Sequence, residues 1–135
     1  GLIDLYNKYG FFKEGLVSIE LKGKEGQEKI AKCIDELRNS SLPEVNGVKV
    51  ATKLDYKLSK EENLSAGTES VINLPKSNVL KYILENGSSF VVRPSGTEPK
   101  MKIYLAVKGS SLEDADKQLE VFKDKVMNIV NEKLA

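Results

Sequence analysis

The sequence predicts an α+β two-layer sandwich, with an antiparallel sheet covered on one face by two helices. Three observations predict it. Apolar residues alternate in several short segments, as half-buried strands require. Two longer segments switch to a helical period. Between two adjacent strand-like runs sits Asn86-Gly87, a dipeptide suited to a two-residue type I′ hairpin because both residues tolerate positive φ. Hairpins make a sheet antiparallel, and such a sheet packs its apolar face against helices.

The elements follow in order. Residues 2–10 have a short helical look closed by Gly10, too short for a helix that stands alone. From Leu16 to Lys22, Val17, Ile19 and Leu21 alternate with Ser18, Glu20 and Lys22 as a strand. Residues 24–38 carry a helical stripe of Ile30, Cys33, Ile34 and Leu37, and Asn39 to Pro43 stop it. Val48, Val50, Thr52 and Leu54 alternate as a second strand. Residues 56–77 are polar, hold Gly67 and Pro75, and show no sustained period; they are expected to form a long loop, of the kind often used for function. Val79–Glu85 and Ser88–Arg93 flank Asn86-Gly87, and Met101–Lys108 alternates again. A helix over about 111–133 closes the chain. Its expected buried stripe is Leu112, Ala115, Leu119, Phe122, Val126, Ile129 or Val130, and Leu134, with Ser110 and Glu113 as its capping box.

Composition excludes several function classes. The 135 residues suit one domain. Lys+Arg 21 against Asp+Glu 20 gives a net charge of +1, without the basic excess of a dedicated DNA-binding protein. There is no apolar run long enough to span a membrane and no charged-then-apolar leader. One cysteine and no histidine exclude a disulfide framework, a structural zinc site and any Ser-His or Cys-His pair. The expected setting is a reducing, cytoplasmic one. A start at Gly1 leads to the expectation of a piece from a longer protein.

Chemistry concentrates in Arg93-Pro94-Ser95-Gly96-Thr97-Glu98-Pro99-Lys100. Arg93 is one of two arginines in the chain, and its guanidinium fork matches a pair of phosphate oxygens. Ser95 and Thr97 add hydroxyl donors. Gly96 lets the backbone turn so that successive N–H groups converge on one anion. Pro94 and Pro99 stiffen the ends, which reduces the ordering cost of binding. Lys100 and Lys102 add positive field. A tight turn with Arg93 paired to a surface carboxylate fits the same composition. It is not a Walker loop, since the Gly-Lys-Ser/Thr end and the following helix are missing. Elsewhere, Glu25, Glu28, Asp35 and Glu36 read as a solvated helix face, and Cys33 as a core residue.

The string Phe90-Val91-Val92-Arg93-Pro94-Ser95-Gly96-Thr97-Glu98-Pro99-Lys100, with Met101-Lys102-Ile103-Tyr104 after it, resembles the substrate-phosphate loop of the α-D-phosphohexomutases, the phosphoglucomutases and phosphomannomutases. Leu74-Pro75-Lys76-Ser77-Asn78-Val79-Leu80-Lys81, Ser111-Leu112-Glu113-Asp114-Ala115 and Tyr9-Gly10-Phe11-Phe12-Lys13-Glu14 resemble the bacterial phosphoglucomutase branch. The resemblance covers essentially the whole chain. It implies the fourth, C-terminal domain over 14–135, a TBP-like β-α-β4-α fold, with residues 1–13 leading out of a preceding domain.

It also implies a role. Arg93, Ser95, Gly96 and Thr97 would contact the substrate phosphate, with Lys100 and Lys102 as helpers. The parent enzyme would interconvert hexose 1-phosphate and hexose 6-phosphate through a hexose 1,6-bisphosphate, using Mg²⁺ and a phosphoserine held by preceding domains. The chain has no counterpart of the Asp-x-Asp-Gly-Asp or Thr-Ala-Ser-His loops, so no catalytic residue and no metal ligand is expected in it, and alone it should be inert. Its partners would be a hexose phosphate and the preceding domains, not nucleic acid or membrane. The rival reading is a phosphate- or RNA-binding module presenting Lys81, Lys100, Lys102 and Lys108, with Tyr82 and Tyr104 for base stacking.

Overall fold

In the computed structural model, which describes residues 11–40 and 42–134, the alternating and helical segments become one sheet with two helices. The chain runs β1 (Phe11–Glu20), α1 (Gly23–Asn39), β2 (Glu44–Val45), β3 (Val48–Asp55), β4 (Lys60–Asn63), β5 (Thr68–Val71), β6 (Leu80–Leu84), β7 (Ser89–Pro94), β8 (Lys100–Gly109) and α2 (Leu112–Leu134). Every strand pair is antiparallel, in the order β1-β8-β7-β6-β3-β4-β5, and the short β2 pairs with β3. Strands β1, β3, β6, β7 and β8 with the helices form the expected β-α-β4-α frame. Strands β2, β4 and β5 are additions to it. The short helix expected before Gly10 lies outside the described residues, as do Tyr6 and Tyr9.

Alternation places the core. Met101, Ile103, Leu105 and Val107 of β8, Phe90 and Val92 of β7, and Leu80, Tyr82 and Leu84 of β6 are all buried. They meet Ile30, Cys33, Ile34 and Leu37 of α1 and Ala115, Phe122, Val126 and Val130 of α2. Both helices cover this inner face, and the other face is open. Leu112, expected in the stripe, is exposed because it stands at the first helical position, off the end of the sheet.

Four local expectations are corrected. The first strand starts at Phe11 rather than Leu16, because each residue from Phe11 to Glu20 pairs with the ten-residue β8. Residues 11–13, expected with the segment leading in, are thus the first rungs of this strand. Its early half lacks visible alternation because Lys13 forms an ion pair with Asp116 of α2, and Gly15 makes room for Leu119. Residues 56–77 are not a bare loop but carry the β4–β5 hairpin, whose strands are polar because neither buries a residue. The helix cap lies one residue later than expected: Ser111 Oγ accepts from the Asp114 N–H at 3.0 Å, and Asp114 Oδ2 accepts from the Ser110 N–H at 2.8 Å.

The fourth concerns the turns. Asn86 does not adopt positive φ. Gly87 does (φ 90), with its N–H donating to the Leu84 carbonyl at 3.1 Å and the Leu84 N–H donating to Ser88 at 2.8 Å. This is a three-residue loop closed by a glycine bulge. The type I′ turn occurs instead at Asn46-Gly47 (φ 53 and 76), between the paired residues Val45 and Val48.

A bulge in β3 has wider consequences. The register on β6 shifts between Val50 and Thr52, so Val50 faces the core but Thr52 and Leu54 do not. Lys53 and Asp55 turn inward instead, with 8% and 5% of their surface exposed. Both are satisfied there. Lys53 Nζ donates to the carbonyls of Leu37, Arg38 and Ser40 at 2.9–3.3 Å, closing the end of α1. Asp55 accepts from Arg38 Nε at 2.9 and 3.2 Å and from the N–H groups of Lys57 and Leu58.

Cys33 is fully buried, as expected, and donates to the Val130 carbonyl at 3.9 Å. Burial, with Glu36 adding to it, pushes its pKa from 9.0 to about 11. The folded state therefore favours the neutral thiol. That contribution to stability is intact below about pH 9 and is lost as pH rises toward 11. Denaturant titrations below and within this window should show the fall. A Cys33→Ala variant is expected to be less stable throughout and flatter across the window.

Candidate functional site

The loop between β7 and β8 is built by its two strands and by α1. Arg93 lies near the end of β7 and pairs in register with Lys102 of β8. Alternation puts both on the open face of the sheet, opposite the helices, and both are exposed. The Ser95 N–H donates to the Lys100 carbonyl at 2.9 Å, which closes the base of the loop. Gly96 has φ +85, and a Cβ there would meet nothing within 4 Å. Its glycine is a conformational requirement rather than a steric one. From outside, the Leu21 N–H donates to the Pro99 carbonyl at 2.8 Å, and Gln27 Nε2 of α1 donates to the Thr97 carbonyl at 2.8 Å.

What remains is a set of donors. The N–H groups of Gly96, Thr97 and Glu98, the hydroxyls of Ser95 and Thr97, the Arg93 guanidinium and the Lys102 ammonium have no partner among the described residues. Arg93, Ser95, Glu98, Lys102 and Tyr104 border an open depression of about 380 Å³. Gly96, Pro94 and Glu98 border another of about 430 Å³ with Gln27 and Asn78 of the neighbouring segments. Among the described residues no buried acid takes up the guanidinium.

Lys100 differs from Lys102. Its ammonium is held by Glu98 at 3.0 Å and Glu20 at 3.2 Å. The hydrogen bonds it donates to Glu98 first, then Glu20, raise its pKa above the ordinary lysine value. It therefore serves to draw two carboxylates aside, one of them in the loop itself. The loop thus comprises Arg93, Ser95, Gly96, Thr97 and Lys102 as free donors and Lys100 as an engaged one. Gln27, Glu20 and the Glu98 amide were not legible in the sequence. Gln27 sits at an exposed helical position, and no pattern marks a contact across 70 residues.

The open sheet face fits base stacking poorly. Tyr82 faces the helices, stacked on Phe90 at 4.7 Å, with its hydroxyl donating to the Leu37 carbonyl at 3.2 Å. Tyr104 alone of the pair points outward, and Lys108 lies over the Phe12 ring at 5.7 Å. The carboxylates of Glu25, Glu28 and Asp35 are exposed, as expected of a solvated helix face. Among the described residues no three acidic, thiol or imidazole side chains converge as ligands for a metal ion, and no helix is long and apolar enough to cross a membrane.

Comparison with known sequences finds relatives of the chain. The family described as phosphoglucomutase/phosphomannomutase, C-terminal domain, matches residues 38–125. A phosphoglucomutase of Staphylococcus saprophyticus is 32% identical over 117 residues, and one of Staphylococcus aureus is 36% identical over 118. Each match covers 87% of this chain and 21% of the relative. The chain thus spans about a fifth of the length of these relatives.

Proposed function

Because the chain belongs to the phosphoglucomutase/phosphomannomutase family as its C-terminal domain, we propose that it holds the phosphate of a hexose phosphate for a larger mutase. One observation carries this reading: a guanidinium, successive loop amides and two hydroxyls lie together without partners at a turn stiffened by two prolines. That donor set suits a dianion.

On this reading the site should read phosphate and ignore sugar stereochemistry. A mutase that moves phosphate between the 1- and 6-positions through a hexose 1,6-bisphosphate must grip whichever phosphate is not reacting. Donors arranged around an anion do this equally for both orientations. Arg93 and the 96–98 amides bind, the hydroxyls of Ser95 and Thr97 orient, and Lys102 adds positive field. Lys100 acts indirectly, by holding Glu98 and Glu20 away from the anion. The phosphoserine and the Mg²⁺ of the parent would belong to preceding domains of a cytoplasmic enzyme. The described residues offer no donor set for that ion, and the chain alone is expected to be inactive.

The test is a titration of the chain with glucose 1-phosphate, followed by amide NMR. Residues 96–98 and the Arg93 side chain should shift, weakly and saturably, and glucose should leave them unchanged. Salt-dependent binding of an oligonucleotide across Lys81 and Tyr104, with the loop unmoved, would replace this reading with the RNA-binding one.

A further inference from the structure

We propose that Gln27, in the early part of α1, is a positioning residue that aims the Glu98 amide at the bound phosphate. The inference rests on the phosphate reading of the loop and deepens it. Gln27 Nε2 holds the Thr97 carbonyl at 2.8 Å. That carbonyl and the Glu98 N–H belong to one peptide unit, and the described chain has no cis peptide. In a planar trans peptide the two groups point in opposite directions. Drawing the carbonyl toward α1, on the inner side of the sheet, turns the Glu98 N–H away from the helix. It then faces the open side of the sheet, where Arg93 lies; Glu98 borders both the depression beside Arg93 and the one beside Gln27, so its peptide stands between the two.

The other anchors leave this peptide free. Leu21 holds Pro99, and Ser95 closes on Lys100. Gly26 lets α1 approach closely, since a Cβ there would lie 2.7 Å from Leu21 Cβ and 3.2 Å from Pro99 Cβ. All three fix the base of the loop. Among the described residues, Gln27 provides the one hydrogen bond from outside the loop to its tip. The carboxylate of Glu98 would oppose an anion, but Lys100 Nζ holds it at 3.0 Å. The residue can therefore offer its backbone donor while its carboxylate is drawn toward Lys100, which Glu20 shares.

Gln27 is exposed, so replacing it opens no hole in the core. The chain and its Gln27→Met variant are titrated with inorganic phosphate and followed by amide NMR and thermal melting. In the original chain the Gly96, Thr97 and Glu98 amides should shift together. In Gln27→Met the dissociation constant should rise about five- to tenfold, as loss of one positioned hydrogen bond implies. The Glu98 response should vanish, the Arg93 side chain should still respond, and the melting temperature should hold. Gln27→Lys, which restores a donor, should return the Glu98 response. If Gln27→Met matches the original chain in affinity and in its Glu98 shift, the positioning role is overturned and the phosphate reading stands. If no loop amide of the original chain responds, both are overturned.

Discussion

Arg93→Ala is expected to weaken binding of glucose 1-phosphate about 30- to 100-fold while leaving the melting temperature unchanged. The size follows from two charge-assisted hydrogen bonds that solvent in the open loop weakens to about 1–1.4 kcal/mol each, just below their usual range. The silent melting curve follows from the structure, because the guanidinium is exposed and makes no hydrogen bond or ion pair among the described residues. Arg93→Lys should recover only part of the loss, since an ammonium supplies charge without the planar fork. In a full-length mutase the same change should lower kcat/KM by at least this factor, because enclosure of the ligand by the preceding domains would exclude water and strengthen the contacts it removes. Unaltered affinity in the chain, or unaltered turnover in the enzyme, would refute the role given to Arg93.

The largest effect on stability is expected at Asp55. Its carboxylate and the Arg38 guanidinium are 7% and 6% exposed and lie 2.9 Å apart, and Arg38 also donates to Asn78 Oδ1 at 2.6 Å. Asp55→Ala removes the buried partner of Arg38 and leaves its guanidinium only the exposed Asp35 carboxylate at 3.3 Å, which costs about 3 kcal/mol or somewhat more. For a domain of this size that is a fall in Tm of roughly 10–20 °C. Replacing both partners together, Arg38→Met with Asp55→Leu, should recover much of the loss, since most of it comes from the stranded charge rather than the pair. Thermal melts of the single and double variants decide the point. A single variant that melts within a few degrees of the original would show that water reaches Arg38 and that the pair is not buried.

Much of the fold was legible because it depends on local periods. The inner residues of β6, β7 and β8 alternate without interruption, and the α1 stripe of Ile30, Cys33, Ile34 and Leu37 is buried as its spacing implied. Legibility failed where a partner, rather than the segment itself, decided the outcome. Phe11–Leu16 reads as no strand until β8 lies beside it. The β4–β5 hairpin has no buried face, so it writes no alternation into the sequence. Two Asn-Gly pairs look alike, yet only Asn46-Gly47 joins strands whose register leaves a two-residue turn.

The sequence by itself determined the α+β class, the helix stripes, the central strands and the composition of the β7–β8 loop, because each is encoded within a few neighbouring positions. Tertiary structure alone decided which charges face inward and which loop donors stay free. One extra residue in β3 carried Lys53 and Asp55 to the core side, where α1 happened to end. Lys100 was claimed by Glu20 across the β1–β8 pairing, whereas Lys102 was left open beside Arg93. Gln27 met Thr97 only because α1 crosses beneath the loop. Periodicity records which face of an element is apolar, but the identity of a polar partner depends on chain segments that folding brings together from far apart.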